Sequence, residues 1–374
     1  MQFKLTMEQE IIQKQAREFA QREIEPIAAQ VDREGKIPAD MTQKLVKAGF
    51  VGMLIPREYG GSEAGVVNLT LVMEQLSYPA CHCFDAAGNN IVGRAIDQSG
   101  TEEQKRRYLP PLARGEAIGS YAFTEPGTGS DPKSLVTTAR LEGDSWVING
   151  IKRFHTAGHL DGPAIIFANV DGDKTTGFLV DKNVKGYTSS KPFELMVGRG
   201  LETVDTRFDD LRVPKDNLLL KVGDGFHLLF SIVDVGRLMI VSSAIALAQA
   251  ALDESLKYAK ERKRRGVPIA AMQAVQWLLA EMACRIEPAR WSAYRVAWLV
   301  DQGQEVHKES AMLKLFASQM TTQVANMGMQ VHGSYGLSKD FKIERIYRQA
   351  KMFELTEGTN EVQRSIVAGS LLMQ

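Results

Sequence analysis

With 374 residues, 45 basic and 45 acidic side chains and a formal net charge of zero, the chain is long enough to bury two or three hydrophobic cores. No polybasic tract or clustered basic stripe points to nucleic acid or to an anionic membrane. No apolar run approaches the roughly 18 residues that suggest a membrane span, and the three cysteines (Cys81, Cys83 and Cys284) are an odd set that suggests no disulfide framework.

The N-terminus opens on a polar helical pattern without the apolar core of a signal peptide. A reducing, soluble compartment is expected: cytoplasmic, or the mitochondrial matrix for a mature eukaryotic chain. From Leu5 to about Arg114 the apolar spacing is helical, with Ile11, Ala16, Phe19 and Ala20 on one face and Leu45, Val46, Phe50 and Val51 on another. The stretch Ile55-Pro56-Arg57-Glu58-Tyr59-Gly60-Gly61 is a loop by its proline and double glycine. Cys81-His82-Cys83 lacks a second Cys/His pair at ligand spacing. His155 and His159 stand four apart beside the turn residue Gly158. No metal is expected.

From Gly115 to about Asn217 the period shortens. TEPGTGSD, Thr124 to Asp131, packs three hydroxyls and two glycines into one loop. Gly127 and Gly129 let the backbone approach a ligand, and Thr124, Thr128 and Ser130 supply neutral donors. It is no dinucleotide fingerprint, because Pro132 stands where the third glycine belongs, and no Gly-Lys-Ser/Thr follows as in a phosphate-binding loop. An ordinary Gly/Pro turn has the same composition, and on the loop alone the two readings are even. Trp146-Val147-Ile148 leads into Asn149-Gly150, a hairpin signal. Ala164 to Val170 and Gly177 to Val180 read as strands joined by the turn Asp171-Gly172-Asp173, and Thr206 to Val213 alternates up to Pro214.

From Gly225 the pattern is helical again, in four long stretches. Val275, Leu278, Leu279, Met282 and Ile286 share one side of the second, Pro268 fits near its start, and GSYG (Gly333 to Gly336) separates the third from the fourth. The expected fold is α+β: an N-terminal all-α domain (1–117), a middle antiparallel β domain (118–222) and a C-terminal four-helix bundle (223–374). Near the end stands LTEGTNEVQR, Leu355 to Arg364. Glu357 beside Gly358 can act as a base whose own N–H meets an adjacent carbonyl. A helix start explains the same residues, with Thr359 as N-cap and Glu361 as early negative charge.

Together these stretches resemble one family, the acyl-CoA dehydrogenases, over nearly the whole chain. The matches fall in order: PREYGG, GTEEQKRRYLPPLARGE, TEPGTGSD, NGIKRFHTAG, VPKDNLLLKVGDGF, ERKRRGVPIAAMQ, QVHGSYG and TEGTNEVQR. The resemblance implies the same three-domain fold and non-covalent FAD held between two subunits of a homodimer or homotetramer. By position it implies that Tyr121, Phe123, Thr124, Gly129 and Ser130 line the isoalloxazine and pyrophosphate. Phe154 would pack on the ring, and Thr156 would bond near N5. Arg262 and Gln273 of the neighbouring subunit would hold the pyrophosphate and adenosine part, helped by Gln330, Val331, His332, Gly333 and Ser334. Thr359 and Glu361 would complete the cradle.

The resemblance further assigns Glu357 as the base that removes the α-proton of an acyl thioester while the β-hydride goes to flavin N5. Ser130, Arg237 and Gly358 would contact substrate. The thioester carbonyl would be polarised by the Glu357 N–H and a ribityl hydroxyl. The implied partners are an acyl-CoA or acyl-carrier-protein thioester and an electron-transfer flavoprotein, with no nucleic acid and no membrane span. Asp234 reads as half of a bundle ion pair, and Arg237 stays open between that role and one beside Glu357.

The chain departs from the family pattern at several places. His155 and Ala157 replace Ile and Asn beside the flavin, with the His155 side chain expected to face away from it. Arg265 replaces Phe, which removes an aromatic contact to FAD or replaces it by cation–π stacking on adenine. Ser334 and Leu337 interrupt a glycine-rich pattern, Gln349 replaces Asp, and Thr356 replaces a frequent Tyr. A divergent branch with an unusual or carrier-bound thioester is one implication. A decarboxylating or eliminating reaction is another, with Arg94 the candidate for a distal acid. A flavin-carrying relative of the DNA-associated members would have a basic C-terminal region, which does not follow TEGTNEVQR here.

Overall fold

The computed structural model describes residues 4–81 and 84–373; His82 and Cys83 of the Cys-His-Cys triplet lie outside them. Helix α1 (Met7–Phe19) is opened by Thr6, whose hydroxyl accepts from the Gln9 N–H while the Gln9 side chain accepts from the Thr6 N–H. Thr101 and Gln104 build the same reciprocal cap on α6 (Glu102–Ala113). Between them run α2 (Ala28–Glu34), α3 (Met41–Lys47), α4 (Gly65–Ser77) and α5 (Phe84–Ser99). Asn89 on α5 is fully buried. It donates to the carbonyls of Leu112 and Ala117 and accepts from the Gly119 N–H, so it clamps the chain where it leaves the helices.

The chain then enters a sheet of β1 (Ser120–Ala122), β2 (Thr138–Glu142), β3 (Ser145–Thr156), β4 (Pro163–Val170), β5 (Lys174–Asp181), β6 (Tyr187–Ser189), β7 (Thr203–Pro214) and β8 (Leu218–Leu219). Its order is β6-β7-β3-β2-β4-β5-β8, with β1 against β4. The expected turn at Asp171-Gly172-Asp173 joins β4 to β5 in antiparallel register from Val170↔Lys174 to Pro163↔Asp181. Two pairings are parallel, β1 with β4 and β2 with β4, so the sheet is mixed where a purely antiparallel one was expected.

Asn149-Gly150 is no hairpin. Strand β3 runs straight through it, and its pairing with β7 slips between Ile148 and Gly150. Gly150 sits at φ +153°, where a methyl group would come within 2.4 Å of Thr137 Oγ1, so the glycine serves a bulge. The hairpin lies earlier, at Gly143 (φ +60°), between the paired Glu142 and Ser145.

The C-terminal region contains α7 (Gly225–Glu261), α8 (Gln273–Asp301), α9 (His307–His332), α10 (Lys342–Ala350) and α11 (Asn360–Leu372). The fourth expected stretch is therefore two helices. Glu357 and Gly358 adopt φ +53° and +85°, which no helix accommodates, and Thr359 then caps α11 by accepting from the Val362 N–H at 3.3 Å. Pro268 precedes α8 in a two-stranded ribbon, β9 (Lys263–Arg264) with β10 (Val267–Pro268), and so does not begin the helix. By length and composition α7 could cross a membrane, which the sequence reading did not expect, but 72% of its most apolar window is buried inside the protein. One continuous core joins the N-terminal helices to α7, α8 and α9. A smaller one, with Trp146, Ile148, Ile166, Phe178 and Phe208, fills the sheet.

Candidate active site

Glu357 lies in the bend between α10 and α11. Its backbone is pinned from two helices: Lys314 Nζ on α9 donates to the Gly358 carbonyl at 2.7 Å, and Gln363 Nε2 on α11 donates to the carbonyls of Glu357 (3.1 Å) and Gly358 (2.9 Å). The carboxylate rests against Gly236 of α7, where a methyl group would stand 2.7 Å from Oε2. Oε1 accepts the Tyr121 hydroxyl of β1 at 2.5 Å.

Burial pushes the Glu357 carboxyl above its ordinary value, against the pull of Tyr121, Arg237 and Lys314. Lys314 is itself fully buried, which brings it down to about 8 against the attraction of Glu357. Arg237 is buried and paired with Asp234 (3.0 Å), whose carboxylate also accepts from Ser310 (2.7 Å) and contacts His307 Nδ1 (2.7 Å). Asp234 is thus the bundle ion pair expected of it. Arg237 does both things: it makes that pair and contributes positive charge toward Glu357. Its Nε is buried without a hydrogen-bond partner among the described residues. Arg94 on α5 is half-buried and interacts electrostatically with Asp301, Asp234 and Asp97, so its charge is already opposed by carboxylates.

The TEPGTGSD loop is held from below by a pair absent from the sequence reading. Glu125 and Lys152 are both buried and bonded at 2.7 Å. Glu125 also accepts from the N–H groups of Val136 (2.7 Å) and Thr137 (3.0 Å), and Lys152 donates to the Phe123 carbonyl (3.0 Å). Burial raises the Glu125 carboxyl, but Lys152 and these donors outweigh it and hold it below the usual range. Above this anchor, Gly127 has nothing around the position of a side chain, and Gly129 has only Thr124 at 3.6 Å. Neither glycine is needed by the chain's own packing. Gly129 and Ser130 make no hydrogen bond among the described residues, which leaves neutral N–H and hydroxyl groups exposed.

Phe154 on β3 has φ +55°, is 56% exposed and is flanked by Phe193 at 5.4 Å. Thr156 is half-buried, its hydroxyl 3.4 Å from that of Thr203. An open aromatic face beside uncharged donors fits a flavin, whose ring edge is polar and neutral. The half-buried Phe123 ring packs on Phe167 (5.5 Å) and Phe226 (6.5 Å). His155 also faces inward, with Nε2 2.9 Å from Ser120 Oγ and Nδ1 3.2 Å from Thr206 Oγ1, and burial drives it down to about 3.

Among residues assigned to a neighbouring subunit's cofactor, Arg262, Gln273, Gln330, Gly333 and Ser334 are exposed. Val331 and His332 are buried, and His332 stacks on Tyr258 at 4.4 Å, so their side chains do not reach that surface. Arg262 lies over the Tyr335 ring at 5.3 Å, a cation–π contact beside the position of Arg265, which is itself exposed. Glu361 is exposed at the start of α11 and bonded to Arg364, consistent with its capping charge. Gln349 is buried and donates to the Ala80 carbonyl at 2.8 Å, a structural use.

Sequence reasoning passed over Gly236, Lys314, Gln363 and the Glu125–Lys152 pair. Two signals were present: a glycine amid the apolar run of α7, and a single lysine amid AMLKLFAS of α9.

Three descriptions match the chain in order: acyl-CoA dehydrogenase N-terminal domain (residues 6–116), middle domain (120–211) and C-terminal domain (223–372). A 3-(aryl)acrylate reductase of Clostridium sporogenes is 39% identical over 98% of this chain and 99% of its own. A caffeyl-CoA reductase-Etf complex subunit of Acetobacterium woodii is 37% identical over 97% of each. The solved structure of butyryl-CoA dehydrogenase from Megasphaera elsdenii superposes with a TM-score of 0.96 at 31% identity, covering both chains fully. These matches, spread over all three regions of the fold, place the chain in the acyl-CoA dehydrogenase family, whose members are FAD-dependent oxidoreductases.

Proposed function

We propose that the protein catalyses α,β-dehydrogenation of an acyl thioester to the 2,3-enoyl thioester, with Glu357 removing the α-proton. The observation that carries this is a carboxylate made more basic by burial, braced by Tyr121 and Gly236 and stapled through its backbone by Lys314 and Gln363. FAD, when bound, supplies the hydride acceptor for the β-carbon.

The chain's own residues do the rest. Ser130, Thr124, Gly129 and Thr156 offer neutral donors, and Tyr121 and Phe154 offer ring faces. Arg262, Gln273, Gln330, Gly333 and Ser334, with Thr359 and Glu361, form the surface that completes a neighbouring subunit's cradle. The backbone N–H groups around Glu357 and Gly358 polarise the thioester carbonyl, without which an α-proton is too weakly acidic for a carboxylate. Ser130 and Arg237 lie on the substrate side.

The named relatives include reductases, which favours a second reading: the same site run toward the saturated thioester. An electron-transfer flavoprotein is the proposed electron partner in either direction. The cytoplasm is the proposed location, with a homodimer or homotetramer as the working form.

The test is anaerobic mixing of the purified holoenzyme with a panel of acyl-CoAs, acyl-carrier-protein thioesters and the matching enoyl compounds. Saturated substrates are expected to bleach the oxidised flavin, and enoyl substrates to re-oxidise the reduced one. Glu357→Gln is expected to slow both by at least 10³-fold, within the range of general-base catalysis. Bleaching of Glu357→Gln at the wild-type rate would remove the base assignment.

A further inference from the structure

Tyr121 and Glu357 stand 236 positions apart, yet the phenol Oη lies 2.5 Å from Oε1. Both ends of this contact are held. Tyr121 is on β1, in register with Ile165 of β4, and its ring packs against the main core. The Glu357 backbone is fastened at two carbonyls by Lys314 and Gln363. What remains free is the carboxylate itself. Gly236 backs Oε2, and only the phenol bonds Oε1 among the described residues.

We propose that Tyr121 is a positioning residue for Glu357: its hydroxyl, donated to Oε1, orients the carboxylate and favours its ionised form. This rests on the base role given above. It goes beyond the flavin-lining place that the position of Tyr121 implies, because it assigns the hydroxyl to the base.

The groups facing Glu357 come from three elements: Tyr121 from β1, Arg237 from α7 and Lys314 from α9. The two cations make their hydrogen bonds elsewhere, Arg237 to Asp234 and Ser310, and Lys314 to Gly358 and Asn360, and act on the carboxylate through charge alone. The phenol is the neutral donor made for the carboxylate. Burial and the adjacent Glu357 raise its own ionisation well above the ordinary value, so it keeps its proton and remains a donor.

The test compares wild type with Tyr121→Phe, which keeps the ring and removes the donor. Burial of Glu357 is then less opposed, so its carboxyl should hold a proton to higher pH. The acid limb of kcat/KM is expected to rise by about one unit, since a hydrogen bond to a charged group has that order of strength. The rate should fall about tenfold on the acid side and approach wild type on the alkaline side, with KM little changed. Infrared titration of the carboxylic C=O band that disappears in Glu357→Gln reads the same shift without turnover.

Should Tyr121→Phe fold poorly, 3-fluorotyrosine at position 121 keeps the shape and strengthens the donor, and the limb should move down instead. An unchanged infrared midpoint in Tyr121→Phe, or in the fluorotyrosine protein, overturns the proposal. If the midpoint moves but no thioester bleaches wild type, the proposed reaction fails while the tyrosine–glutamate coupling stands.

Discussion

Gly236 sits inside α7, where a helix ordinarily favours alanine, and the Glu357 carboxylate 2.7 Å from a would-be methyl group explains why. Gly236→Ala is expected to displace that carboxylate, slow flavin bleaching at least tenfold and cost about 1–3 kcal/mol from overpacking. Stopped-flow bleaching and thermal unfolding read the two effects. A raised carboxyl also has a stability consequence of definite sign. Between the unfolded value and the raised folded one, the native state keeps a proton that the unfolded chain has released. Stability from this group is therefore full below the ordinary glutamate range and declines as pH rises through the folded value. Glu357→Gln, which cannot ionise, should raise Tm at neutral pH, with about 1 °C for each kcal/mol regained, and lose that advantage at acid pH. Differential scanning calorimetry at several pH values checks it, and a lower Tm at pH 7 would contradict it. Lys314 has the opposite sense: brought down to about 8, it opposes folding while charged, so its contribution improves as pH rises from there toward the ordinary lysine value.

The loop between β1 and β2 keeps its shape through Glu125 and Lys152, a buried pair that also satisfies two backbone N–H groups and one carbonyl. Lys152→Met strands a buried carboxylate and should cost about 3–5 kcal/mol, whereas adding Glu125→Gln should recover part of it. Release of flavin from the variants, followed by fluorescence, tests whether the anchor serves the ligand loop. Helical and strand periods were legible because each element has one buried face, and TEPGTGSD and TEGTNEVQR stood out because glycines and hydroxyls interrupt those periods. Asn149-Gly150 misled, since the same dipeptide that turns a hairpin also relieves a bulge, and only the pairing of β3 with β7 distinguishes the two. The helix start at Thr359 was legible, but the left-handed backbone at Glu357 was not. A glutamate seldom adopts that conformation, and the side chains that fasten its backbone, Lys314 and Gln363, lie on two different helices. Glu125 and Lys152 were unreadable on the same ground, as a charged residue in a sequence looks exposed until its partner is placed.

Across the whole molecule, large apolar side chains remain uncovered on the C-terminal helices: Trp277 and Trp298 on α8, Met312 and Phe316 on α9, Leu371 and Leu372 on α11. Single exposed hydrophobic residues are ordinary, but this many on one helical region suit the proposed assembly. Sedimentation of the purified protein should report a dimer or tetramer, and Trp298→Glu or Trp277→Glu should shift it toward smaller species with loss of bound flavin. A monomer that retains flavin would refute both the assembly and the shared cradle. The distance along the chain between Tyr121 and Glu357 has its own consequence for synthesis. The helices and sheet that hold the phenol precede the glutamate in the chain, so they leave the ribosome before it does. The contact joins positions 236 apart, so a nascent chain that has not reached Glu357 can own a complete sheet without the proposed base. Formation of the sheet and formation of the tyrosine–glutamate contact are then separate events in time, and the proposed chemistry waits on the second.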